Sequence, residues 1–324
     1  MIKIESRKIF VVGKRSLAIT LPKRWIQQHN LNVGDVLEVI LNDDGTLLLK
    51  PIRVRSEPLI TSETTIDADA IPRNWLLSVV MGYYINGYDA IRIVSKKPIA
   101  DVLAELGQKL IGTVVTGSGN EYLVKFVLSE DKLALDEIMN RMILILNSVI
   151  EHYIEYLRVR DNSLLEKILN LEEEIDRLYY LGMRILINSL LKSFTEGSYE
   201  EGKNCMFKML GLKIIEDISD AIDRSVRAIY RVSQDGIELP KEYEDLAKSV
   251  AKISIDAARA FKESDMHRAL KVLELRVEVK KGILSMKSRS KELLQILLSE
   301  LEIMITFAAD LAELAIVSAA GKSE

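Results

Sequence analysis

Two hydrophobic periods divide this chain. From about residue 132 onward, apolar residues recur every three or four positions. In "DEIMNRMILILNSVIEHYIEYL", Ile138, Met142, Ile145 and Val149 mark one face of a helix. The same spacing predicts six helices, at about 132–158, 162–193, 199–233, 240–263, 265–288 and 290–320. "SQDGIELP" parts the third from the fourth with a Gly and a Pro, a stop-and-restart signal. The break reads as the seam between two similar halves of three helices each. The first 55 residues read differently. "KIFVVG" and "SLAITL" predict short strands, and Leu17, Ile19 and Leu21 share a face expected to meet a core. "PKRWIQQHN" predicts a short helix opened by Pro22 and left through Gly34. "DVLEVIL" and "TLLLKPI" predict a hairpin closed by "NDDG". Between these regions, residues 60–130 alternate strands ("TTIDAD", "AIRIVS", "GTVVTGSGNEYLVKFVL") with helices ("PRNWLLSVVMGYYING", "PIADVLAELGQKL"), which predicts a small α/β layer.

Proline usage supports this division. Five of the six prolines precede residue 99, and only Pro240 follows. A proline inside a helix costs roughly 3 kcal/mol, so the proline-poor stretch permits long helices. With 324 residues, 48% of them hydrophobic, the chain can bury more than one core. The expected fold class is multidomain: a β-rich head at 1–55, a small α/β layer at 60–130 and an all-α region at 131–324. The head is too small to bury much surface alone, which argues for a homodimer sharing one core.

A lone cysteine, Cys205, excludes an internal disulfide and fits a reducing cytoplasm. "MIKIESRKIF" lacks the apolar core of a signal peptide. The most apolar stretch, "LEIMITFAADLAELAIVSAA", is interrupted by Glu302, Asp310 and Glu313, short of the roughly 20 uninterrupted residues of a spanning helix. The expectation is a cytoplasmic protein without membrane insertion.

Charge changes the picture further. Residues 1–55 carry ten Lys/Arg against five Asp/Glu, leaving +5 on the head and −9 on the remainder of a chain whose net charge is −4. A basic head on an acidic body points to an anionic partner for the head. Lys14-Arg15 and Lys23-Arg24 flank "SLAITL", and Arg7 and Lys8 stand at an end of the first strand. Arg grips phosphate or guanine in two-pronged fashion and Lys adds charge, so these six residues are the candidate DNA contacts. The alternative is an ordinary solvated surface on a domain that only dimerises. Trp25 is expected in the core rather than as a base-stacking platform.

The head "GKRSLAITLPKRWIQQHNLNVGDVLEVILNDDGTLLLKP" resembles the AbrB/SpoVT family of swapped-hairpin DNA-binding domains. The matching pieces are the strand leading into "LPK", the short helix, "L-x-x-GD" and the "DG" of the closing hairpin. The resemblance spans residues 3–53. It implies a β-barrel interleaved from two chains that presents basic residues to double-stranded DNA. Lys14, Arg15, Lys23 and Arg24 match the family's basic positions beside the second strand, and Arg7 and Lys8 those ending the first.

In the helical region, acidic residues recur four apart: Glu172 and Asp176, Glu216 and Asp220, Glu274 and Glu278, then Glu302 with Thr306. A spacing of four places both carboxylates on one helix face, where they repel unless protonated, solvated or bridged by a cation. Oxygen ligands of this kind suit Mg²⁺, Mn²⁺ or iron. Such pairs are also common on solvated helices, but Ile214, Ile215, Ile218 and Ile222 put Glu216 and Asp220 at an apolar boundary. "IEDISDAIDRSVRAI" and "LEIMITFAADLAEL" resemble the motif helices of PhoU, the phosphate-uptake regulator built from two three-helix repeats. The resemblance, over about 132–320, implies metal ligands at Glu216, Asp220 and Glu302, with Glu172 and Asp176 as weaker candidates. The motif fails at Thr306, where Asp is expected, and at Ala221 and Phe307, where His is expected.

An enzyme is not expected. None of His29, His152 and His267 has Glu three residues before it, as a di-metal oxidase needs. "GKRS" lacks the preceding Gly of a phosphate loop. Cys205 has no nearby His in sequence. The expectation is a DNA-binding transcriptional regulator, tied to phosphate uptake through the PhoU resemblance, whose body senses metal or a partner. The rival is an interaction protein whose head only dimerises and whose body docks on a phosphate transporter or sensor kinase.

Overall fold

The computed structural model describes residues 5–41, 45–51, 62–128, 135–196, 198–234 and 238–321. In the head, β1 (Phe10–Val12) pairs antiparallel with β2 (Ser16–Ala18) around a turn in which Gly13 takes φ +67°. α1 (Lys23–Gln28) follows Pro22, which sits at its N-cap rather than within its first turn. The helix is left through Asn30, not Gly34. Asn30 takes φ +50°, Leu31 N–H donates to Ile26 O (3.0 Å) and Asn30 N–H to Gln27 O (3.3 Å), the two bonds of a Schellman ending. Gly34, at φ +100°, serves the next turn, where Asn32 N–H donates to the Asp35 carboxylate at 2.6 Å. β3 (Leu37–Leu41) then pairs antiparallel with β4 (Leu47–Pro51). Residues 42–44 of the predicted "NDDG" turn lie outside the described residues.

β2 is shorter than predicted and stops at Ala18, and no described residue of the head is buried. Leu17 and Ile19, expected to face a core, are 69% and 50% exposed, and Phe10, Val12, Val39, Leu41 and Leu47 are exposed as well. Two hairpins and six helical residues do not enclose a core within one chain.

The α/β layer comprises β5 (Glu63–Asp67), α2 (Arg73–Ile85), β6 (Ala90–Val94), α3 (Ala100–Lys109), β7 (Thr113–Ser118) and β8 (Glu121–Phe126). The sheet order is β5-β6-β8-β7, with β5 and β6 parallel and the other pairs antiparallel. Ile66, Ile91, Ile93 and Val124 from the sheet meet Leu76, Val80 and Tyr84 of α2 and Leu103 and Leu106 of α3 in one core. The opposite face carries Arg92 between Glu63 (3.3 Å) and Glu121.

Six long helices follow: α4 (Leu135–Val159), α5 (Asn162–Glu196), α6 (Tyr199–Gln234), α7 (Lys241–Glu263), α8 (Met266–Arg289) and α9 (Glu292–Ala320). α9 packs on α6, α7 and α8, and α4 packs on α6 and α7. One hydrophobic core runs through all six. By length and composition α9 is apolar enough to cross a membrane, its interrupting acids notwithstanding. In the bundle it buries Leu297, Leu298, Leu301, Met304, Ile305, Ala308 and Leu311 against its neighbours. Two details knit the halves together. The Phe261 ring of α7 lies where a side chain at Gly211 of α6 would stand, 2.1 Å from that position. The Tyr153 hydroxyl of α4 meets Ser225 of α6 (2.9 Å) and Tyr243 of α7 (3.3 Å) in a buried polar cluster.

The chain divides into two compact units, residues 1–60 with 195–198 and the remainder, so the α/β layer and the six helices form one body. Arg184 of α5 joins them. Only 2% exposed, it donates to Tyr84 O (2.8 Å) and Tyr88 O (2.7 Å), and its guanidinium lies over the Tyr84 and Phe126 rings. These carbonyls close the C-terminus of α2, where a cation also complements the helix dipole. Gly87, at φ +83°, fits there because any side chain would collide with Asn188 of α5.

Candidate functional site

The body brings four of the predicted acidic residues together. Glu172 and Asp176 lie one turn apart on α5, and Glu216 and Asp220 one turn apart on the facing side of α6. Carboxylate oxygens of Glu172, Asp176 and Asp220 fall within 4.8 Å of one another, as do those of Glu216, Asp217 and Asp220. Asp217 escaped the sequence reading because the four-residue spacing selects Glu216 and Asp220 and passes over the residue between. Ile215, Ile218 and Ile222 are fully buried beneath α6, and Glu216 itself is only 7% exposed.

That partial burial dominates the electrostatics. Desolvation, reinforced by Asp176, pushes Glu172 up to about 8. Burial and the nearby Asp220 push Asp176 up to about 6. Burial pushes Glu216 up to about 7 even though Lys213 bonds to it. Asp220 is raised by burial too, opposed by Lys213, Arg224 and a hydrogen bond from Glu172. The shift of Glu172 favours its protonated form, which can donate to Asp220.

The two overlapping clusters differ in how their charge is met. Lys213 contacts both Glu216 (2.5 Å) and Asp217 (2.7 Å), so a protein cation already serves that side. On the other side, Asp176 Oδ1 is buried and has no hydrogen-bond partner among the described residues. Lys109, at the end of α3, acts on Glu172 and Asp176 by charge alone. The acidic oxygens of both clusters could hold a metal ion, and a hard divalent cation fits the Glu172–Asp176–Asp220 side better, because it would satisfy the orphaned oxygen.

Glu302 stands apart from this cluster. On α9 it accepts from Lys287 (3.1 Å) and lies 4.0 Å from Lys280, both on α8. Thr306, in place of the expected Asp, turns its hydroxyl back to Glu302 O (2.8 Å). Glu274 and Glu278 are exposed, and among the described residues neither joins a group of potential metal ligands.

In the head, Lys14 and Arg15 form the tip of the β1–β2 turn, and Lys23 and Arg24 occupy the first turn of α1. Arg7 and Lys8 precede β1. All six are exposed. Arg7 pairs with Glu5; among the described residues the other five make no ion pair. Trp25 is half-buried and stacks at a tilt on His29, with centroids 5.2 Å apart.

Residues 10–57 match the family described as antidote-toxin recognition MazE, bacterial antitoxin. The MazE match begins at β1, runs past β4 and ends before the α/β layer, so it characterises the head alone. It supports the AbrB-like character of this domain, because MazE is itself an AbrB-like swapped-hairpin family. Among curated proteins none matches the chain.

Proposed function

We propose that this chain is a homodimeric, cytoplasmic DNA-binding regulator, with a MazE-like and AbrB-like head and a helical body that responds to a divalent metal. The observation that carries the reading is the head: among the described residues, five of its cations have no acidic partner and none of its residues is buried. A second copy interleaved with the first would cover Leu17, Ile19, Val39 and Leu41. Each such side chain contributes roughly 1.5–3 kcal/mol when fully buried. The resulting barrel would gather Lys14, Arg15, Lys23 and Arg24 from both chains for the phosphates of a duplex.

In the body, Glu172, Asp176 and Asp220, with Glu216 beside them, would hold Mg²⁺, Mn²⁺ or iron, and the ion would supply the charge that their burial withholds. The link to phosphate uptake, with transporter or sensor components as partners, rests on the PhoU resemblance of the α6 and α9 sequences. The body is then a pair of PhoU-like three-helix bundles. No reaction is assigned to the chain.

The MazE match favours one second reading, in which the head's exposed apolar surface recognises a toxin-like protein instead of DNA. Fluorescence anisotropy on labelled duplex DNA, titrated with salt, separates the two. For DNA binding, log affinity should fall linearly with log salt. The double variant Arg15→Ala with Arg24→Ala, which removes four cations per dimer, should flatten that slope by about 3 to 4. A dimeric chain that shows no binding at about 50 mM salt would reject the DNA reading and leave the protein-binding one.

A further inference from the structure

α8 has two apolar faces. One, formed by Ala269, Val272, Ile283 and Met286, is buried in the bundle. The other is not. Met266, Leu270, Val277 and Leu284 are 40%, 49%, 53% and 47% exposed, and Leu273 beside them is half-buried. Their spacing follows the seam of a heptad repeat, two apolar positions in every seven residues. Lys280 occupies the remaining seam position. Its ammonium lies 4.0 Å from Glu302, so it turns off the seam and its stem continues the apolar line. The exposed charges alongside are Lys271, Glu274, Glu278 and Lys281, two of each sign.

We propose that this seam pairs antiparallel with the same seam of a second copy, about a two-fold axis beside Val277. In such a pair, residues equidistant from the axis face each other. Leu270 and Leu284 lie seven positions on either side of Val277, so each packs on the other across the interface, while Val277 meets its own counterpart. Glu274 and Lys281 lie on one flank, three positions before and four after Val277. Antiparallel pairing sets like flanks together, so each Glu274 meets Lys281 of the second copy, and the contact occurs twice. A uniformly basic or acidic partner helix would meet repulsion from half of these charges. A second copy meets complementary charge.

One helix pair buries less than the roughly 1,000 Å² that a free-standing interface needs. The seam therefore closes between chains already joined by their heads, at an effective concentration on the order of millimolar. To that extent the inference rests on the head-dimer reading.

Cross-linking on the full chain tests it. Cys205 is buried, so a thiol introduced at the surface is the reactive one. Under mild oxidation, Val277→Cys should form a disulfide-linked dimer at a rate independent of chain concentration, because facing positions on the axis come within disulfide reach. Lys271→Cys, on the same helix but off the seam, should lag by about tenfold or more, and the wild-type chain should not cross-link. In small-angle scattering, Val277→Glu should enlarge the dimer's radius of gyration without changing its mass. If sedimentation shows a dimer in which the two cysteines link equally slowly and the radius is unchanged, the seam is rejected and the head dimer stands. A monomeric chain rejects both.

Discussion

The two halves of the helical body meet the same electrostatic problem and solve it differently. In the first half, Glu172, Asp176, Glu216, Asp217 and Asp220 converge between α5 and α6; Lys213 pairs with Glu216 and Asp217, and Arg224 lies 3.9 Å from Asp220. In the second half, α9 carries Glu302, and α8 supplies Lys287 and Lys280 to it. Thr306, one turn on, spends its hydroxyl on the helix backbone. A helix pair that faces acid with lysine needs no other cation. One that leaves Asp176 Oδ1 buried and, among the described residues, without a hydrogen-bond partner could take an added one. The difference lies in which cations the fold sets beside the acids, not in the acidic spacing itself.

The sharpest test of this asymmetry removes two ligands. Asp176→Asn with Asp220→Asn should lower Mn²⁺ affinity by at least about 100-fold in calorimetry, since oxygen ligands are lost outright rather than merely misoriented. The same variant should raise the melting temperature of the metal-free chain, because it relieves repulsion among partly buried like charges. A metal-free variant that melts below wild type, with metal uptake unchanged, would place the ion elsewhere.

A smaller effect should appear in the pH dependence of the metal-free chain. Glu172, Asp176 and Glu216 titrate at about 8, 6 and 7, whereas in the unfolded chain they ionise near about 4. Between these values the folded state holds more protons than the unfolded state, so stability falls as pH rises. Thermal melts should show the highest stability near about pH 5 and a decline toward about pH 8, and Glu172→Gln should flatten the upper part of that window. Added Mn²⁺ should oppose the decline by holding the carboxylates ionised. A stability that climbs steadily from acid to pH 8 would contradict the assignment.

The smallest effect belongs to the second half. Glu302→Ala or Lys287→Ala should each change unfolding free energy by about 1 kcal/mol or less in denaturant titrations, as partly exposed ion pairs do. Neither should alter the metal stoichiometry. Loss of a bound ion in Glu302→Ala would show that the halves are equivalent after all.

Much of the fold was legible from spacing alone. The three-and-four period and the placement of Pro240 locate all six long helices to within a few residues, because helical periodicity and proline's missing N–H are local properties of the chain. The strands of the α/β layer were legible for the same reason. The head was legible in kind but not in detail. Asn30 rather than Gly34 ends α1, since either residue tolerates a positive φ and the bonds from Leu31 and Asn30 choose between them. Leu17 and Ile19, expected to face a core, are exposed among the described residues, because β2 ends at Ala18 and the head buries nothing by itself.

Four of the acidic residues could be nominated from their spacing, but not the partners that give them their character. Lys213 sits within the motif helix and was passed over. Lys109 comes from α3, and Arg184, which locks the α/β layer to the helix bearing Glu172 and Asp176, resembles any other helical arginine when read in sequence. Local periodicity determined which faces are apolar and which residues sit one turn apart, since these follow from the geometry of a single helix. Only the packing of α5 against α6 decided which carboxylates lose water, and only that of α8 against α9 brought Lys280 and Lys287 to Glu302. Desolvation and charge pairing depend on groups distant in sequence that are brought within a few ångströms by the fold.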